Sequence, residues 1–241
     1  MSDHNFSNCP SFCGALQHPG LAVNFDLYVD YSCRETTEDQ QRIEAVLETM
    51  IAEKQIVKGS RILHVGVGNS QLAAKFIPRG LVVDGVTVSG SEKHFAESLK
   101  LKGYQVYVTN KYHRDFAGCF EQNQFDYIVD NNLASFSCCQ YHFYQMLENY
   151  LGCLKTGGKI LTDQRGMDWA LAGPGFILGF DELRQAVAPL PLKVSRLTDM
   201  VYVLELLPAN NNKRQELSVY ARRCDDGGQA YIETFIPQQG E

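Results

Sequence analysis

The sequence predicts an α/β protein: a doubly wound, seven-stranded sheet, mostly parallel, with an antiparallel hairpin as its last two strands. Three observations carry this expectation. Short apolar runs alternate with helical stretches from about residue 60 to 207, and such alternation needs crossover connections between parallel strands. A Gly66-Val67-Gly68 turn separates the first β run from the helix after it. The last two β runs stand too close for a crossover, so they must pair antiparallel at the sheet edge.

Each element follows from local pattern. Residues 1–35 are broken by Pro10, Gly14, Pro19 and Gly20 but hold Phe6, Phe12, Phe25, Tyr28 and Tyr31, so the segment is expected to pack as a lid. Thr36 or Thr37 can cap a helix in which Ile43, Val46, Leu47, Met50 and Ile51 recur at helical spacing. Arg61–Val65 reads as a strand, and a helix follows from about Ser70 to Phe76. Leu81–Ser89 is a second strand, Ser91–Leu101 a helix, and Gln105–Thr109 a third strand. His113–Glu121 is expected as a short helix before the strand Phe125–Asp130. Tyr141, Tyr144, Leu147, Leu151 and Leu154 form the stripe of a long helix expected to stop at Gly157-Gly158. Lys159–Thr162 is a fifth strand and Asp181–Val187 a helix. Leu192–Leu197 and Val201–Leu207 make the closing hairpin. Leu217–Arg222 and Ala230–Ile236 flank an Asp-Asp-Gly-Gly turn and read as an appended β-hairpin. The expected organisation is a lid over 1–35, one domain over 36–208 and a β extension over 209–241.

Composition narrows the function. The chain has 241 residues, 44% of them hydrophobic, and 22 basic against 28 acidic side chains give a net charge of −6. That acidity, without a basic block, argues against nucleic acid. No apolar run reaches the ~18–20 residues of a membrane span. The first twelve residues lack the pattern of a signal peptide, so the expectation is a cytoplasmic protein. Eight cysteines are scattered over strands, helices and termini without a Cys-x-x-Cys pair, which reads as reduced thiols, and no metal is expected.

The strongest motif is Ile62-Leu63-His64-Val65-Gly66-Val67-Gly68-Asn69-Ser70. Glycines between a strand and a helix let a ligand approach the backbone at the carboxyl edge of the sheet. A dinucleotide fingerprint wants a third glycine at position 71, where Gln71 stands, which counts against a nicotinamide oxidoreductase. With this turn, the closing hairpin and the segment Leu154-Lys155-Thr156-Gly157-Gly158-Lys159-Ile160-Leu161, residues 40–207 resemble the class I S-adenosylmethionine-dependent methyltransferases. Thr156 stands where that family usually has proline. Gly85-Val86-Thr87-Val88-Ser89 is similar to the second-strand segment of the cyclopropane fatty acid synthase branch, although nothing else points to cyclopropanation.

The resemblance implies a position for each part of the cofactor S-adenosyl-L-methionine. Gly66, Gly68, Asn69 and Ser70 would lie against its methionyl part, with His64 at a place where the family commonly has an acid. Thr87 occupies the usual acidic position for the ribose diol. Ser89 lies beside it, and Glu92 is the nearest substitute carboxylate. Asn110 would accept from the adenine amine, and Asp130 and Asn131 would face the cofactor ammonium or the acceptor. An oxygen acceptor also needs a base. His142 is the first candidate, His113 the second, and Asp163 would orient the base or bind acceptor. Trp169, with nearby Phe176 and Phe180, suggests an apolar wall for the acceptor, with plain core packing as the alternative. The expected function is methyl transfer to an oxygen or nitrogen of a small molecule, with a homodimer as an option. A nicotinamide oxidoreductase and a non-catalytic S-adenosylmethionine-binding protein are the alternatives.

Overall fold

A computed structural model describes residues 34–113, 116–122, 124–134, 140–167 and 178–208, the side chains of 140–142 excepted. Seven strands form one sheet: β1 Arg61–Val65, β2 Val82–Thr87, β3 Gln105–Val108, β4 Phe125–Val129, β5 Leu154–Asp163, β6 Leu192–Arg196 and β7 Val201–Leu206. Their order is β3-β2-β1-β4-β5-β7-β6. The first five pair in parallel, and β7 runs antiparallel between β5 and β6. The mostly parallel sheet and its antiparallel end are therefore as the alternation and the short last connection predicted. The order reverses between β1 and β4, and a crevice opens at the carboxyl ends of strands at such a point.

Helices cover both faces, because parallel strands must be buried on both sides. On one face lie α1 (Glu38–Ala52) and α2 (Gln71–Phe76). Their Ile43, Leu47, Met50, Leu72 and Phe76 pack on Ile62, Val83, Val129 and Leu161. Further along, α3 (Gly90–Ser98) places Ala96 against Val67 and Val106. On the other face α4 (Gln140–Cys153) sets Phe143, Met146, Leu147 and Tyr150 against Leu63, Ile128 and Ile160. Two short helices complete the described fold, α5 (Gln164–Met167) and α6 (Phe180–Ala186). None of the described helices is long and apolar enough to cross a membrane.

Two local expectations are corrected. The long helix ends at Cys153 rather than at Gly157-Gly158, and β5 starts at Leu154. Phe125 pairs with Leu154 while Tyr127 pairs with Lys159, so the intervening residues form a bulge. Gly157 turns it at φ 76°, and a Cβ on Gly158 would lie 2.8 Å from the Lys155 carbonyl oxygen. The glycine pair thus kinks a strand instead of ending a helix. The helix expected over His113–Glu121 shrinks to a 3₁₀ turn, Phe116–Cys119. The lid segment up to residue 33 and the extension from 209, with its expected hairpin, lie outside the described residues, as do Trp169 and Phe176.

Candidate active site

The turn after β1 is the centre of the site. Gly66 N donates to Val86 O at 2.8 Å, which ties the turn to β2. Gly66, Gly68 and Ser70 adopt left-handed backbone at φ 79°, 49° and 55°. A Cβ built on Gly66 or Gly68 would meet none of the described residues within 4 Å, so the turn presents bare backbone there. Ser70 is fully buried. Asn69 is committed to scaffolding: its Nδ2 donates to Arg34 O and Thr36 Oγ1, and its Oδ1 accepts from Gln71 N.

The first turn of α1 lies over the carboxyl ends of β1, β4 and β5. Three of its side chains each reach one strand end. The Asp39 carboxylate accepts from Asn131 Nδ2. Gln40 Oε1 is 3.3 Å from His64 Nε2. Arg42 grips Asp163 with two hydrogen bonds of 2.8 Å, and Arg165 N donates to the same carboxylate. Asp163 is fully buried. A bidentate pair with Arg42 engages both oxygens of this carboxylate, expected to orient the base or bind acceptor, and fastens α1 to β5. Asn131 lies just after β4, with its amide turned to Asp39.

His64 is 2% exposed, and burial pulls its imidazole down to about 4, so the ring is neutral. The Gln40 oxygen can only accept, so His64 Nε2 carries the hydrogen and Nδ1 is a bare acceptor. Nδ1 is buried and has no hydrogen-bond partner among the described residues. In the unfolded chain this imidazole titrates near 6.5. The unfolded state therefore binds more protons between the two values. The stabilisation is complete above 6.5 and is lost as pH falls toward 4. Acidification from pH 7.5 to 5 should cost the wild type about 2 kcal/mol more than His64→Gln. Urea titrations at both pH values measure this, and equal losses in the two proteins would refute it.

At the end of β2 the structure gathers Thr87, Ser89 and Glu92. The Thr87 hydroxyl bonds the Glu92 carboxylate, and Ser89 N donates to Thr87 Oγ1 at 2.9 Å. Ser89 Oγ accepts from Glu92 N as the N-cap of α3. The cap turns the first helical carboxylate back over the strand end, so Glu92 stands beside the position where Thr87 replaces an acid. Val88 between them is 40% exposed, an apolar surface at the same edge that the sequence reading passed over. After β3, Asn110 is buried, and its Oδ1 accepts from Tyr112 N at 3.0 Å as a turn former.

Asp130 at the end of β4 is 1% exposed. Its Oδ2 accepts from Lys111 Nζ at 2.8 Å and Tyr150 OH at 2.7 Å, and its Oδ1 from Asn132 N. Lys111 Nζ also donates to Asn132 O at 2.8 Å. Burial lowers the Lys111 ammonium below its usual range, opposed by the Asp130 charge, and burial raises the Tyr150 phenol well above its own. The oxygens of Asp130, expected to face the cofactor or acceptor, take part in an interior network with Lys111, Tyr150 and Asn132. Sequence reasoning missed Lys111 because a lysine at a strand end ordinarily reaches solvent. His113 is half-buried in the turn that Asn149 Nδ2 fastens through Lys111 O and His113 O. His142 lies in the first turn of α4, and its side chain is outside the described residues.

The fold so built, with its reversed strand order, its Gly-x-Gly turn and its final antiparallel strand, is the class I, Rossmann-like methyltransferase fold. The CurJ carbon methyltransferase superposes with a TM-score of 0.54 at 13% identity, over 84% of this chain and 66% of its own. The N-methyltransferase NodS from Bradyrhizobium japonicum, solved with S-adenosyl-L-homocysteine, superposes with a TM-score of 0.53 at 13% identity, over 75% of this chain and 94% of its own. The cyclase SpnF gives 0.50 at 18% identity, over 70% of this chain and 63% of its own. This chain thus spans slightly less than two thirds of CurJ and of SpnF. No protein-family model matches the sequence, and no curated protein matches it significantly.

Proposed function

We propose that the chain transfers a methyl group from S-adenosyl-L-methionine to an oxygen or nitrogen of a small molecule. The observation that carries this reading is the bare turn 66–70 at the point where strand order reverses, with none of the described residues within 4 Å of a Cβ on Gly66 or Gly68. The donor set suits the cofactor. The backbone of Gly66 and Gly68 would face its methionyl part. The unpartnered Nδ1 of His64 is an acceptor in need of a donor such as an ammonium. Glu92 would accept from the ribose hydroxyls. Asn110 Oδ1 would take the adenine amine with its second lone pair.

When bound, S-adenosylmethionine supplies a methyl already activated by the sulfonium. The protein's part is then to hold donor and acceptor in line and exclude water. Asp130 and Asp163 contribute as rigid supports of the two strand ends. His142 remains the first candidate to take a proton from the acceptor, with His113 second. The acidic surface and the missing basic block favour a small-molecule acceptor over nucleic acid, and neither a membrane nor a partner chain is needed for this reading. The cyclase among the neighbours keeps a second reading in view, a cofactor-binding protein without methyl transfer.

Calorimetry with S-adenosylmethionine and S-adenosylhomocysteine tests the reading. Both should bind below millimolar concentration and a nicotinamide dinucleotide should not. No binding of either would overturn the cofactor assignment. Glu92→Gln should weaken both ligands about tenfold, the value of one charge-assisted hydrogen bond. Unchanged affinity would remove Glu92 from the ribose site. Methyl transfer from labelled cofactor to a panel of phenols and amines separates the enzyme from the non-catalytic reading.

A further inference from the structure

The turn has one unusual member, Ser70. It is fully buried, it is not glycine, and its backbone is left-handed at φ 55° and ψ 21°. Side chains other than glycine rarely adopt that conformation without local support. The support comes from a residue 34 positions away: Tyr104 OH donates to Ser70 Oγ at 3.1 Å. The phenol stays protonated, since burial pushes it up to about 12. It reaches Ser70 across Gly85 of β2. A Cβ on Gly85 would lie 3.0 Å from Tyr104 OH and 2.5 Å from Val67 Cγ1, so any side chain there would displace both. Tyr104 also packs beside Val67, the middle residue of the Gly-x-Gly turn.

We propose that Tyr104 is a positioning residue that holds Ser70 left-handed and thereby sets the shape of the cofactor turn. The inference rests on the cofactor reading above for its effect on affinity, and on geometry alone for the coupling. Tyr104 acts through Ser70. Gly85 belongs to the same device, because its missing side chain leaves the passage through which the phenol reaches the turn.

A double-mutant cycle of Tyr104→Phe and Ser70→Gly tests it, read by S-adenosylhomocysteine calorimetry and by thermal unfolding without ligand. Tyr104→Phe should bind about five- to tenfold more weakly, the loss of one hydrogen bond to a buried hydroxyl. Ser70→Gly should lower affinity by no more than Tyr104→Phe does, since glycine adopts the left-handed conformation freely. In the Ser70→Gly background, Tyr104→Phe should cause no further loss of affinity or Tm, because the hydrogen bond it removes is already gone. A residue that merely packs would lower both equally in the two backgrounds, and that result overturns the proposal, as does wild-type affinity in Tyr104→Phe. If the wild type binds no S-adenosylhomocysteine, the cofactor reading fails. The unfolding cycle then still decides whether Tyr104 holds Ser70, because that coupling needs no ligand.

Discussion

Gly166→Ala should cost the fold about 3 kcal/mol or more and lower the urea midpoint accordingly. Gly166 lies in α5, directly after β5, with its α-carbon pressed on the backbone at the end of β4. An added Cβ would stand 1.8 Å from the Asn131 carbonyl oxygen and 2.6 Å from its carbonyl carbon. The obstacle is main chain, so no rotamer change relieves it. Either α5 or the β4 loop must move, and the β4 loop holds Asn131 against Asp39. Loss of stability and loss of ligand affinity should therefore arrive together. Gly118→Ala is the control, because a Cβ there meets none of the described residues within 4 Å. Equal urea midpoints for Gly166→Ala and the control would show that this approach of α5 to the β4 end is not required.

Lys111→Met should be about as damaging, on the order of 3–5 kcal/mol, because it leaves the Asp130 carboxylate buried without its cation. The ammonium bonds Asp130 and the carbonyl oxygen of Asn132, so its removal also releases the turn after β4. Adding Asp130→Leu to Lys111→Met should return much of the loss, since replacing both members of a buried pair is far milder than breaking it. Denaturant unfolding of the wild type, the single variant and the double variant measures this. A Lys111→Met protein as stable as wild type would mean that the pair contributes nothing to the interior.

Much of this architecture was legible in the chain. The β runs at 61–65, 105–109 and 201–207 come within a residue of the observed strands, because a buried parallel strand is a short apolar run between turn residues. The hairpin was legible from connection length alone. The Gly-x-Gly turn was legible because left-handed backbone favours glycine, as Gly66 and Gly68 show. The bulge at Gly157-Gly158 was misread for a related reason: a glycine pair marks a break in regular backbone, but the same residues serve a helix end and a strand bulge.

The candidate carboxylates divide along another line. Glu92 was predicted as the substitute for an absent acid, and its location follows from a cap three residues away at Ser89, a local effect. Asp130 and Asp163 occupy the expected strand ends, yet their partners could not be read. Arg42 is separated from Asp163 by 121 positions, and Asp39 from Asn131 by 92. Those pairs exist because α1 crosses β5 at one particular angle, which only the packing of Ile43, Leu47 and Met50 determines.

By itself, then, the sequence determined the sheet, its antiparallel close and the bare turn at its carboxyl edge, because strand periodicity, turn chemistry and connection length are short-range properties. The tertiary structure alone decided which polar groups at that edge are committed to one another and which remain open. It assigned Asp163 to Arg42, Asp130 to Lys111 and Tyr150, and Ser70 to Tyr104, and it left His64 Nδ1 without a partner among the described residues. The physical reason is that a buried charge or hydroxyl must find its counterpart within about 3 Å. Which counterpart comes that near depends on how distant helices settle on the sheet.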